Sequence, residues 1–73
     1  MPYYPRIRDL REDKDITQRD MAQHLHCSQQ VYSNYELGQR DIPTDILIKM
    51  ALFYKVSIDY ILGISDYKEL NIK

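Results

Sequence analysis

The sequence predicts a compact all-α domain of five short helices, and three observations carry that prediction. Helix breakers are scarce and sit at boundaries, with glycine only at positions 38 and 63 and proline only at 2, 5 and 43. Apolar residues recur every three to four positions through most of the chain, the spacing of one buried helical face. Thr17, Ser28 and Ser57, whose hydroxyls can cap a helix start, stand immediately ahead of those stripes.

Pro5 suits the first turn of helix one, because it has no amide hydrogen to leave unsatisfied and its φ is already near helical. That helix is expected to run to about Lys14, with Ile7 and Leu10 inward, Arg11 beside them, and Arg8, Asp9, Glu12 and Asp13 outward. Thr17 followed by Asp20 has the capping-box pattern and opens helix two, whose buried stripe is Met21, Ala22 and Leu25. The small Ala22 lets a neighbouring helix come close. His26 and Cys27 form a turn, Ser28 caps helix three, Val31, Tyr32 and Tyr35 face inward, and Gly38 supplies a left-handed end. Helix four opens at Pro43 and Thr44, with Thr44 expected as its cap and Ile46, Leu47, Met50, Ala51 and Tyr54 on the apolar side. Ser57 caps helix five, Asp59 meets the positive end of its dipole, Ile58, Ile61 and Leu62 are buried, and Gly63 closes it. The expected organisation is an N-terminal arm over 1–5, a helical domain over 6–63 and a C-terminal tail over 64–73, the tail being a frayed extension or a dimer arm.

At 73 residues the chain is near the size at which one core supplies only about 3–5 kcal/mol of net stability. No staple is expected: one cysteine cannot form an internal disulfide, and no Cys and His spacing matches a structural zinc site. This usage suits a reducing cytoplasm. Neither a signal peptide nor a membrane span is expected, since prolines and tyrosines fill the first five residues and no long apolar run follows. The net charge of −1 runs against the basic balance common in nucleic-acid binders. The acids are uneven, however: Asp9, Glu12, Asp13 and Asp15 cluster early, while Glu36 is the only acid between Cys27 and Arg40.

Helix three carries the chemistry. Gln29, Gln30, Ser33 and Asn34 put uncharged donors and acceptors on its outward side, the groups that match base edges in a DNA major groove. From the residues alone an ordinary solvated helix face fits about as well. His24, His26 and Cys27 contain no complete metal-ligand set, so no metal and no cofactor is expected. An enzyme is disfavoured by the absence of a glycine-rich phosphate loop and of a nucleophile paired with a base. The seven tyrosines read mainly as packing and rim residues, with Tyr3 and Tyr4 as a mobile arm or part of an interface.

The segments TQRDMAQHL and SQQVYSNYELG, with Leu10–Arg11 before them and Pro43 and IDYILG after, resemble the lambda-repressor-like, Cro-type helix-turn-helix family of bacterial and phage regulators. The likeness covers residues 6 to 63 and rests on Gln18, Ala22, Ser28, the Tyr35–Glu36 pair, Gly38, Pro43 and the late apolar pattern. It implies a soluble cytoplasmic regulator of double-stranded DNA, most simply a dimeric repressor, with helix three in the major groove and helix two across the phosphates. Gln29, Gln30 and Asn34 then match base-reading positions, with Ser33 beside them, and half-sites containing adenines follow from the amides. Thr17, Gln18, Arg19, Ser28, Gln39 and Arg40 match contacts to the DNA backbone. Arg11 and Glu36 match an ion pair between helices one and three. Tyr32 stands where the family more often has an aliphatic residue, Leu37 where a polar one is common, and Gln39 where a basic one is frequent. Tyr60, Ile61, Ile64 and Tyr67 form the candidate dimer surface. A second reading, of another class, is a protein-interaction module on the same fold, of the antitoxin or adaptor kind, which the acidic balance favours.

Overall fold

A computed structural model describes residues 3–69, so residues 1–2 of the expected arm and 70–73 of the expected tail lie outside it. Five helices follow one another: α1 (Pro5–Asp13), α2 (Gln18–His24), α3 (Gln29–Leu37), α4 (Thr44–Tyr54) and α5 (Ile58–Leu62). α1 lies against α3 and α5, α2 against α3, and α4 against α5.

Helix starts follow the cap chemistry at three of the expected positions. The hydroxyls of Thr17, Ser28 and Ser57 accept from the amides of Asp20, Val31 and Tyr60. Each satisfies an amide that has no carbonyl one turn earlier. The capping box at α2 forms only halfway, because no bond returns from the Asp20 side chain; aspartate is one methylene shorter than the glutamate that usually makes it. Thr44 is not the cap of α4. Pro43 occupies that position with extended backbone, its carbonyl accepts from Ile46 and Leu47, and Thr44 is already the first helical residue.

All five helices end the same way, although only two have a glycine at the left-handed position. After α1, α2 and α4 that conformation falls on Asp15, His26 and Lys55, with φ of 55°, 58° and 57°. In each case the next amide reaches back to the last turn: Ile16 to Arg11, Cys27 to Ala22 and Val56 to Ala51. An L residue in this region costs about 1–2 kcal/mol. The apolar residue that follows, Ile16, Cys27 or Val56, packs on the core and holds the strained position in place.

The core comprises Ile7, Leu10, Met21, Ala22, Leu25, Tyr32, Tyr35, Ile42, Ile46, Met50, Ala51, Tyr54, Val56 and Ile61. Ile42 and Val56 lie in connections, where no periodicity marks them in the sequence. Ile58 and Leu62, expected to be buried, are only half-buried because α5 is a single short turn and a half.

The segment after Gly63 is strapped to the domain through residue 69. The Ser57 amide and hydroxyl donate to the carbonyls of Lys68 (2.8 Å) and Tyr67 (2.9 Å), and Val56 and Glu69 form an antiparallel bridge. Arg6 completes the strap: its guanidinium donates to the carbonyls of Tyr60 and Ser65 and to Asp66, and stacks 4.1 Å above the Tyr60 ring. These bonds hold residues 64–69 against α1 and the start of α5. At the other terminus Tyr4 packs on the core while Tyr3 stays exposed.

Candidate nucleic-acid interface

The turn between α2 and α3 is four residues, Leu25 to Ser28, closed by the His26 and Cys27 amides onto Gln23 and Ala22. Leu25 is buried and Cys27 half-buried, which fixes the angle between the two helices from beneath. Burial pushes the Cys27 thiol pKa up against the opposing charges of Arg40 and Lys49. Those two cations therefore lie on the side of the turn. Lys49, on α4, escaped the sequence reading because it belongs to a different helix. His24 stacks on Phe53 at 4.3 Å between ring centroids, so its role is packing.

On α3, Gln29 and Gln30 are exposed and Ser33 and Asn34 half-buried, all on the side away from Tyr32 and Tyr35. The Gln30 amide nitrogen donates to the Asn34 side-chain oxygen at 3.1 Å across one helical turn. Arg19, Gln39 and Arg40 are exposed, and neither arginine makes an ion pair among the described residues. Thr17 and Ser28 use a hydroxyl lone pair in capping, which leaves each hydroxyl hydrogen as a donor. Leu37 is 59% exposed at the end of α3 and shares an open cleft with Tyr3, Arg8 and Gln18.

Behind this face lies a clamp that joins three helices. Arg11 on α1 meets Glu36 on α3 in a two-pronged contact, Nε to Oε2 at 2.6 Å and Nη2 to Oε1 at 3.2 Å, while its Nη1 donates to the Ile16 carbonyl. Gln18 on α2 adds a bond from Nε2 to Glu36 Oε1 at 3.1 Å. Gln18 is thus engaged inward through one N–H, with the second left as a donor. Burial alone would favour the neutral carboxyl of Glu36, but the bonds from Arg11 and Gln18 outweigh it and hold the pKa below its ordinary value. Arg11 is correspondingly raised, first by its bond to Glu36.

The Tyr32 hydroxyl faces the same carboxylate and favours its charge, yet it makes no hydrogen bond of acceptable distance and angle and is completely enclosed. Burial, then Glu36, pushes the phenol pKa far above its ordinary value. The hydroxyl thus reaches neither solvent nor a backbone group.

Two short helices locked by a tight turn, with the second carrying an exposed amide face, define a helix-turn-helix domain. A family model described as helix-turn-helix matches residues 7–61, and the chain belongs to that family, the Cro/C1 or lambda-repressor-like type. It is 36% identical over 64 residues to the Bacillus subtilis HTH-type transcriptional regulator YobD, itself described as uncharacterized, covering 88% of this chain and 57% of the relative. It is similarly 36% identical over 66 residues to the B. subtilis HTH-type transcriptional regulator ImmR, covering 90% and 52%. The cryptic phage CTXphi transcriptional repressor RstR of Vibrio cholerae is 31% identical over 61 residues, covering 84% and 55%. The chain thus spans about half the length of these relatives. They are named as regulators, in keeping with a family that is not enzymatic. No helix among the described residues is long and apolar enough to cross a membrane.

Of the expected dimer surface, Ile61 is 1% exposed and belongs to the core, and Tyr60 is covered by Arg6. Ile64 and Tyr67 remain exposed, as do Ile48 and Leu52 one turn apart on α4. The sequence reading left Ile48 and Leu52 off the apolar stripe of α4, in agreement with their exposure, but drew no surface from them.

Proposed function

We propose that this chain is a sequence-specific regulator of transcription that reads double-stranded DNA with α3, acting as a repressor by occupying an operator. The observation that carries the reading is the face of Gln29, Gln30, Ser33 and Asn34, presented on a helix that a buried ion pair anchors from behind. Uncharged amides held on a rigid element suit base edges, where an adjacent acceptor and donor can meet adenine N6 and N7 together. Thr17, Gln18, Arg19, Ser28, Gln39 and Arg40 supply backbone contacts. With Gln18 half engaged, Arg19 and Arg40 carry most of that grip.

One such module buries only about 600–1,000 Å² of protein on DNA. The reading therefore has two copies on half-sites about 34–36 Å apart, as twofold symmetry requires. Exposed Ile64 and Tyr67 are the part of the expected surface that can meet a second copy.

Selection of random duplexes by the purified chain at low salt tests this. An enriched sequence is expected, with Gln30→Ala weakening that sequence chiefly and Arg40→Ala weakening all duplexes and flattening the salt slope by about one unit. No enrichment would remove the reading and leave the protein-interaction module in its place.

A further inference from the structure

We infer that Gln30 and Asn34 act as one reading unit that selects an adenine beside a guanine, rather than as two independent amides. This rests on the DNA reading above and goes beyond it in naming a two-base-pair step.

Gln30 Nε2 donates to Asn34 Oδ1 at 3.1 Å. Free asparagine and glutamine each offer two N–H donors and one carbonyl acceptor, so either alone can grip adenine. The mutual bond breaks that equivalence. Gln30 keeps its own oxygen and one N–H, an acceptor and a donor side by side, which still matches adenine N6 and N7. Asn34 has its oxygen turned toward Gln30 and presents the two hydrogens of Nδ2. Asn34 Oδ1 keeps a second lone pair, but with that oxygen held by Gln30 the two N–H donors are what it has free to grip a base through two contacts, and guanine N7 and O6 are the adjacent acceptors that match.

Spacing agrees with chemistry. Residues four apart in a helix are separated by about 6 Å along its axis, nearly two base steps of about 3.4 Å. Joined by their bond, the two amide groups sit 3.1 Å apart at nearest approach, close to one step. Ser33 and Gln29 make no such side-chain link among the described residues, so the coupling is particular to this pair.

The test is a comparison of base preferences from randomised duplexes for the unaltered chain, Gln30→Met and Asn34→Ala, with thermal melts to verify folding. Gln30 is exposed and methionine is a good helix former of similar length, so that variant keeps the fold. An adenine–guanine step is expected for the unaltered chain. In Gln30→Met the freed Asn34 amide turns, and the preference for guanine at its own base pair falls about tenfold although Asn34 is unchanged. Asn34→Ala is expected to relax both base pairs as well. Enrichment in which each substitution relaxes a single base pair, or in which no such step occurs, overturns the pairing while leaving the DNA reading intact. A lack of any enrichment overturns both.

Discussion

Replacing Glu36 by alanine strikes the one charged group enclosed in the core among the described residues, and its cost follows from the geometry. The carboxylate is 3% exposed, its arginine partner 12%, and the two meet through both guanidinium nitrogens that face it. Removing it strands the Arg11 cation and an N–H of Gln18 where both are largely shielded from water. Breaking one side of a buried pair costs about 3–5 kcal/mol, as much as the roughly 3–5 kcal/mol a core of this size supplies. A loss of 1 kcal/mol lowers the midpoint of so small a domain by about 4–8 °C, so Glu36→Ala is expected to fall by more than about 12 °C or to be unfolded at 25 °C. Thermal melting followed by circular dichroism measures it. A double replacement, Arg11→Met with Glu36→Leu, should recover much of the loss, because no charge is then stranded. A Glu36→Ala midpoint within 2–3 °C of the unaltered chain, within about half a kcal/mol, would refute the claim that this clamp holds the helices together. The same pair sets an acid limit. Its folded pKa is depressed below the unfolded value of about 4.3, so the stabilisation is fully present above that pH. It drains away as pH falls from there through the lower folded value, and Glu36→Gln should flatten this acid limb.

Tyr32→Phe removes an enclosed hydroxyl without a partner and should raise stability by about 1 kcal/mol; a fall of that size would reveal a hydroxyl bonded to Glu36 after all. Lys55→Gly relieves a left-handed residue at the end of α4 and should gain about 0.5–1 kcal/mol after glycine's added chain entropy, read from a urea midpoint shift at constant slope. Arg6→Ala strips charged donors from the Tyr60 and Ser65 carbonyls and should cost about 1.5–3 kcal/mol. Asp66→Ala should leave the melting midpoint in place, since Asp66 is almost wholly in water; equal losses in both variants would show that the ion pair, not the carbonyl bonds, fastens the tail.

The helices were legible because their signals are local. Thr17, Ser28 and Ser57 cap by reaching three residues forward, and Met21, Ala22 and Leu25 announce a buried stripe by their spacing. The pairing of Arg11 with Glu36 came through family likeness, and the structure supplies what that could not: the third partner, Gln18, and the orphaned Tyr32 hydroxyl. The end of helix one near Lys14 and the turn at His26 were legible, but the left-handed backbone of Asp15, His26 and Lys55 was not, because without glycine that conformation is chosen by what the next side chain buries. Thr44 misled because a hydroxyl next to proline looks like a cap whichever of the two is helical. The tail was opaque for a related reason: its partners, Arg6 and Ser57, lie far back along the chain.

Arg6 and Arg11 leave α1 five positions apart, roughly 140° around the axis at 3.6 residues per turn, one gripping residues 60–66 and the other the end of α3. The opening helix is therefore a rivet with two heads, and mechanical load on residues 64–66 passes through it to α3. Trimming the chain just past Arg6 cuts one head only: residues 60–66 lose that grip, while the Ser57 bonds to Tyr67 and Lys68 and the opposite joint stay fast.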